Sequence, residues 1–269
     1  SNSFLFKKKN IKKIPLSLDQ SFWFPVDKSI ARKILSISEK KLTICFGAEN
    51  YFNNNRKGFD IFKDAINNFD SSIKLQVLLF GEDKKFFFKN KNIETHNIGI
   101  VKDELIMKII FSASDFVIMP SRTEAFGQIV LESLFCGTPC VILKDTAMED
   151  MIQHKINGFI CSGIKHNHLS EGITWCVNNL SNFNRKSISS EISKQYSSKV
   201  LIDDYLNFFL DLIVNAKRIS IERSSKVLNG QKKYMRYRAE KDPARGMLRG
   251  FFGNAWTESY INKILFDLQ

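Results

Sequence analysis

The chain has 269 residues, 43% of them hydrophobic and 25% charged, with a net charge of +12. That length holds one good-sized domain and an extension, but hardly two full α/β domains. No apolar run approaches the 20 residues of a membrane-spanning helix, and the five cysteines contain no C-x2-C pair, which points to free buried thiols rather than a zinc or disulfide framework.

The charge is concentrated at the ends. Residues 1–13 carry a net +5 and residues 216–269 a net +7, so residues 14–215 are balanced. Basic ends of this kind suit anionic lipid headgroups or nucleic acid, and equally a solvated extension.

In chain order, Leu42 to Ala48 reads as a strand closing on a glycine turn. A polar loop then leads through Arg56-Lys57-Gly58 into a helical run from Asp60 to Phe69. Two cations before a glycine at a helix start form a pattern that attracts phosphate. Ile98-Gly99-Ile100-Val101 is a second edge, between a strand-like stretch and a helix over Glu104 to Phe111, and its free backbone groups suit a planar base. The third edge is the most informative: Asp115 to Pro120 reads as a strand, followed by Ser121-Arg122-Thr123-Glu124-Ala125-Phe126-Gly127 and a helical run from Gln128 to Phe135.

That third turn places acids at both ends of a strand-to-helix edge. A helix beginning near Ala125 leaves its first amides without partners and favours an anion above them. Gly127 removes a side chain where a ligand approaches. Glu132 lies about 12 Å further along than Glu124 at 1.5 Å per helical residue. Hydroxyls at both ends of a ligand with a double phosphate between them match this layout, as in a nucleotide sugar.

Strands near 42–47, 74–80, 93–98, 115–119 and 139–143, alternating with helices, predict an α/β fold: a Rossmann-like parallel sheet with helices on both faces. His166 and His168 fall in a polar connection and carry no metal expectation; no acidic D-x-D pair occurs in a suitable loop, and no P-loop or Ser-His-Asp pattern stands out.

These pieces together resemble the carboxy-terminal half of a retaining glycosyltransferase of family 4, with the GT-B fold. Ile14 to Asp19 with Phe22-Trp23 is similar to the interdomain linker, Phe46-Gly47-Ala48 to the first donor-domain strand, and Glu124 to Glu132 to the E-x7-E signature. Cys136-Gly137-Thr138-Pro139 and Ile156-Asn157-Gly158-Phe159 continue the series, which covers residues 5–215.

The resemblance implies that Lys57, with Arg56, neutralises a diphosphate and that Val101 meets the base. Glu124 would hold hydroxyls of the transferred sugar. Phe126, Gly127 and Gln128 would meet the phosphates, and Glu132 the ribose. Glu124 and Lys57 would be the catalytic pair. One departure is Ala48, where many relatives carry a phosphate-binding arginine.

The implied activity is hexosyl transfer from a nucleotide-diphosphate sugar, UDP- or GDP-linked, with retention and without a metal or cofactor. The implied setting is cell-surface polysaccharide or glycolipid synthesis in the cytoplasm, peripheral at the inner membrane face. The acceptor, a sugar or lipid-linked glycan, would be held by an amino-terminal domain. On this reading residues 1–22 are the end of that domain and a linker, and 23–215 bind the sugar nucleotide. The truncated chain is expected to bind donor but to transfer poorly.

Residues 216–269 form a basic extension that matches nothing in this family. It reads as the opening of another domain, a membrane-surface element or a packed helix. The alternatives to transfer are another GT-B enzyme, such as a nucleotide-sugar epimerase, or a non-catalytic module; nucleic acid is not the expected partner.

Overall fold

The structure is a computed structural model that describes residues 12–70, 72–216, 220–242 and 245–265. The expected basic run Lys7 to Lys9, residues 217–219 and the last four residues of the apolar end lie outside the described residues.

Contacts divide the chain between Phe209 and Leu210. The first unit is built on a six-stranded parallel sheet: β1 (Leu42–Gly47), β2 (Leu75–Phe80), β3 (Ile93–Gly99), β4 (Phe116–Met119), β5 (Cys140–Leu143) and β6 (Gly158–Cys161). Their order is β3-β2-β1-β4-β5-β6, with register such as Ile44 beside Phe116 and Val117 beside Cys140. The five expected strands are present within a residue or two. The sixth, β6, over Gly158 to Cys161, was not anticipated.

Apart from the polar edge strand β3, the strands are largely apolar on both faces because helices cover both, as parallel sheets require. Alternate residues divide between two cores. Cys45, Val117, Met119, Cys140 and Ile142 enter one core, which α1 (Lys28–Ile34), α3 (Glu104–Ala113), α4 (Gln128–Phe135) and α6 (Arg185–Tyr196) help to build. Ile44, Phe46, Phe116, Ile118, Val141 and Leu143 enter the other, under α2 (Phe59–Asn67) and α5 (His166–Asn178). The phenylalanines concentrate in this second core. Phe46 stacks on Phe62 with centroids 4.6 Å apart, and Phe59 meets Tyr51 at 4.5 Å. All five cysteines are free and buried, and loss of water pushes the Cys136, Cys140 and Cys161 thiols up to about 12.

Two sequence expectations are corrected here. His166 and His168 do not lie in a loop; they begin α5, and His168 is half-buried. The helix expected to begin near Ala125 begins at Gln128. The cause is Gly127, whose φ of +92° is left-handed and cannot continue a right-handed helix.

The linker-like segment packs closely. Leu18 donates its amide to the Tyr196 carbonyl at 3.0 Å, and its own carbonyl accepts from Ser198 at 2.9 Å. Trp23 is buried against Phe111. Buried Lys108 donates to the Phe22 carbonyl at 3.0 Å, with its ammonium 4.0 Å from the Phe24 ring. Helix α7 (Ser198–Val214) follows and spans the division between the units.

The second unit contains α8 (Ile221–Glu240), α9 (Arg245–Phe252), α10 (Asn254–Ser259) and a π-helical turn over Tyr260–Leu265. Among its described residues only Ala239, Thr257 and Ile261 are buried. Glu258 sits between Arg245 and Arg249, and these guanidiniums hold its carboxyl down at about 2. Trp256 and Tyr260 stack 4.9 Å apart.

Candidate functional site

The sheet order places β1 beside β4, so the chain winds outward in opposite directions from these two strands. At such a switch point the loops leaving the carboxyl ends diverge and open a crevice, the usual ligand position in an open α/β sheet. The two loops that border it are the one after β1, carrying Arg56 and Lys57, and the one after β4, carrying Glu124, Phe126 and Gly127.

The structure brings Lys57 and Glu124 together. The Lys57 ammonium donates to the Glu124 carboxylate at 2.9 Å, and both side chains are mostly shielded, at 17% and 16% exposure. Lys57 closes a 3-10 turn over Asn55–Lys57, and Gly58 then caps α2 with φ +69°. Glycine is required there twice over. The backbone is left-handed, and a Cβ would overlap the Pro120 carbonyl oxygen at the end of β4. Thus the phosphate-type turn lies directly against the start of the acidic loop. Arg56 beside it is exposed and makes no ion pair among the described residues.

Gly127 is accounted for differently from the sequence reading. Its missing side chain makes room for Met148, which a Cβ would strike. Met148 belongs to the 3-10 turn Ala147–Met151 after β5, and the Ala147 amide donates to the Glu124 carbonyl at 3.3 Å. The β5 loop therefore buttresses the acidic loop from behind. Gly127 leaves the amides of Gln128 and Ile129 as the first of α4, without helical acceptors.

Glu132 lies one turn into α4 and is 6% exposed. Its carboxylate accepts from the Gln128 side-chain Nε2 at 2.8 Å. Burial, opposed by that hydrogen bond and reinforced by nearby Glu104, raises its carboxyl to about 7. Glu104 is the first residue of α3, just after the Val101 loop, so Glu132 borders the base-type edge of the crevice. Val101 and Phe126 are half-buried and pack on the first core. Glu132 thus lies in the fifth position of α4, and Glu124 of the Lys57–Glu124 pair lies in the loop that leads into that helix.

Ala48 is buried, and its carbonyl lies where a Cβ on Gly81 would collide. A cavity of about 320 Å3 abuts the acidic loop, lined by Ala125, Phe126, Ala147, Asp150, Met151 and Tyr196. A larger one of about 730 Å3 lies away from these residues, between Trp23 and Ser193. Among the described residues no group of three His, Cys, Asp or Glu side chains can hold a metal ion, and no helix is long and apolar enough to cross a membrane.

Sequence reading missed one pair. Arg122 forks onto Asp60 with bonds of 2.8 and 2.6 Å. An arginine and an aspartate 62 residues apart carry no sequence signal of contact. Only the adjacency of β1 and β4 joins them.

The profile of the glycosyl transferases group 1 matches residues 27–193, which contain every residue of this crevice. The chain belongs to that family. Solved glycosyltransferase structures share the fold. Sucrose-phosphate synthase from Thermosynechococcus elongatus superposes with a TM-score of 0.63 at 16% identity, over 76% of this chain and 53% of that one. A glycosyltransferase from Rickettsia africae gives 0.64 at 15% over 79% and 61%. Anabaena HepE, solved in complex with UDP and glucose, gives 0.60 at 17% over 74% and 56%. The chain thus spans little more than half the length of these neighbours.

A second likeness covers the carboxy-terminal part. The profile of the ferredoxin-dependent bilin reductases matches residues 172–267, overlapping the first match by the end of α5 and most of α6. Phycoerythrobilin:ferredoxin oxidoreductase of Prochlorococcus marinus strain NATL1A is 72% identical over 71 residues, 26% of this chain and 28% of that protein. The protein of strain MIT 9211 is 48% identical over 99 residues, 37% and 36% of the two chains. The chain therefore spans between a quarter and about a third of these relatives. The basic extension that matched nothing in the glycosyltransferase pattern falls within this region up to residue 267.

Proposed function

We propose that the first unit is the donor-binding half of a retaining, family 4 type hexosyltransferase acting on a nucleotide-diphosphate sugar. The observation that carries this reading is the Lys57–Glu124 contact across the switch point. It sets a cation for the diphosphate beside an acid for sugar hydroxyls, in the loop that leads into the helix bearing Glu132, a buried acid suited to ribose.

On this reading Val101 meets the base and Glu132 accepts from the ribose hydroxyls. The diphosphate lies over the amides of Phe126, Gly127 and Gln128, with Lys57 and Arg56 at its flank, and Glu124 grips the hexose. As the sugar–phosphate bond breaks, charge grows on the leaving diphosphate. Lys57 and the open amides of α4 then bind it more tightly than in the ground state. The incoming hydroxyl attacks from the same face that the diphosphate leaves, which retains configuration. No metal or cofactor is assigned to the step.

The acceptor, a sugar or lipid-linked glycan of cell-surface polysaccharide or glycolipid synthesis, is assigned to an amino-terminal domain, in the cytoplasm at the inner membrane face. The HepE structure with UDP and glucose supports the ligand class.

A thermal-shift panel of UDP-, GDP- and ADP-sugars tests the reading, since a ligand of the native state raises the melting temperature. One donor family is expected to do so. A flat response to all of them would refute it.

The second likeness supports a separate reading of residues 210–269. We propose that they are a helical piece of a bilin reductase fold with no reductase activity of their own, because among their described residues only Ala239, Thr257 and Ile261 are buried. Titration with phycoerythrobilin is expected to leave its absorption spectrum unchanged, and a saturable spectral shift would overturn this.

A further inference from the structure

We infer that Arg122 and Asp60 form a clasp that positions Lys57 and Glu124 for the donor. The inference deepens the donor-site reading and rests on it.

Arg122 lies two residues before Glu124, and Asp60 is in the first turn of α2, three residues after Lys57. The Arg122 guanidinium binds both carboxylate oxygens of Asp60, at 2.8 and 2.6 Å, and the Asn55 carbonyl at 2.6 Å. Its backbone amide donates to the Arg56 carbonyl at 2.8 Å. One residue of the β4 loop thus holds the first residue of the 3-10 turn, the residue before Lys57 and the start of the following helix. The Lys57–Glu124 bond closes the same ring of contacts.

The chemistry suits the task. A planar guanidinium presents donors in a fixed fork that fits a carboxylate in one orientation, and an ammonium does not. The Arg122 guanidinium holds the Asp60 carboxyl below its usual range, and Asp60 in turn raises Arg122. The pair is partly open to water, with side-chain exposures of 33% and 51%. Such a pair adds little to global stability, so its consequence is local: it sets the distance between a loop on β1 and a loop on β4. Neither residue is assigned a contact with the ligand; both are positioning residues.

Arg122→Gln, Arg122→Lys and Asp60→Ala are tested on the full chain by calorimetry with UDP-glucose, UDP and uridine, or the corresponding series for whichever base the wild type binds. Each variant is expected to weaken the diphosphate compounds about tenfold, the lower range for a misplaced charge-assisted contact. The nucleoside is expected to be unaffected and the melting temperature to stay close to wild type. The double variant Arg122→Gln/Asp60→Ala is expected to match either single one, because both break one clasp. Arg122→Lys keeps the charge and is expected to fail like Arg122→Gln, because the fork is lost.

Equal loss for nucleoside and diphosphate, or full rescue by Arg122→Lys, would overturn the positioning role. Wild type that binds donor while every clasp variant binds it equally well would overturn this inference alone. Wild type that binds no diphosphate would overturn the donor site and this inference with it.

Discussion

Glu132→Gln separates the structural burden of a buried acid from its use. The Glu132 carboxyl is raised from 4.5 to about 7, chiefly by burial. At 1.36 kcal/mol per unit, that shift is worth roughly 3 kcal/mol. The folded state holds the proton more tightly than the unfolded chain. Stability from this group is therefore complete below about pH 4.5, falls as pH rises towards 7, and is lost above it.

Glutamine never ionises and still accepts from Gln128, so the variant lacks that decline. Measured by urea unfolding, the two proteins are expected to be alike near pH 4.5. The variant is expected to be more stable by up to about 3 kcal/mol at pH 8. For a unit of this size that corresponds to a melting temperature roughly 6–12 °C higher. Nucleotide binding should move the other way. An ionised carboxylate accepting ribose hydroxyls is worth about 1.5–3 kcal/mol, so affinity for the nucleoside and the diphosphate should both fall by roughly 10- to 150-fold at pH 8. A stability difference that does not change with pH would refute the titration argument. A stabilised variant with unchanged nucleotide affinity would refute the ribose assignment.

Glu124→Ala is expected to weaken a sugar nucleotide about tenfold while sparing the free nucleoside diphosphate, read by calorimetry, since its partner is the hexose. Lys57→Ala should reduce affinity for the diphosphate more than for the nucleoside, and equal losses would argue against a phosphate role. Gly58→Ala forces a side chain into a left-handed backbone position and onto the Pro120 carbonyl. A loss of about 2 kcal/mol or more in unfolding free energy is expected, together with weaker diphosphate binding because Lys57 moves with the turn.

Residues 14–215 announced their architecture because local rules there agree. Short apolar runs in Leu42–Gly47 and Phe116–Met119, helical spacing in Gln128–Phe135 and glycines at strand ends each act over a few residues, and the sequence holds that information locally. The same locality identified Lys57, Glu124 and Glu132 as candidates one at a time. It failed where the deciding contact was distant. Gly127 was read as an opening for ligand, although Met148 from the β5 loop occupies that space. The Arg122–Asp60 clasp was invisible, because strand order alone brings those residues together. Composition could mark residues 216–269 as basic and foreign to the donor domain, but not what they resemble, since a charged helix pattern is shared by many folds.

What the chain's own order of residues determined was the kind of each element and the chemical character of each loop. Folding decided which loops meet. Parallel pairing of β1 with β4 set a lysine 2.9 Å from a glutamate 67 residues away, and closure of α4 over Glu132 took a carboxyl out of water. Neither event has a local cause, because both depend on burial and strand adjacency that exist only once the sheet has formed.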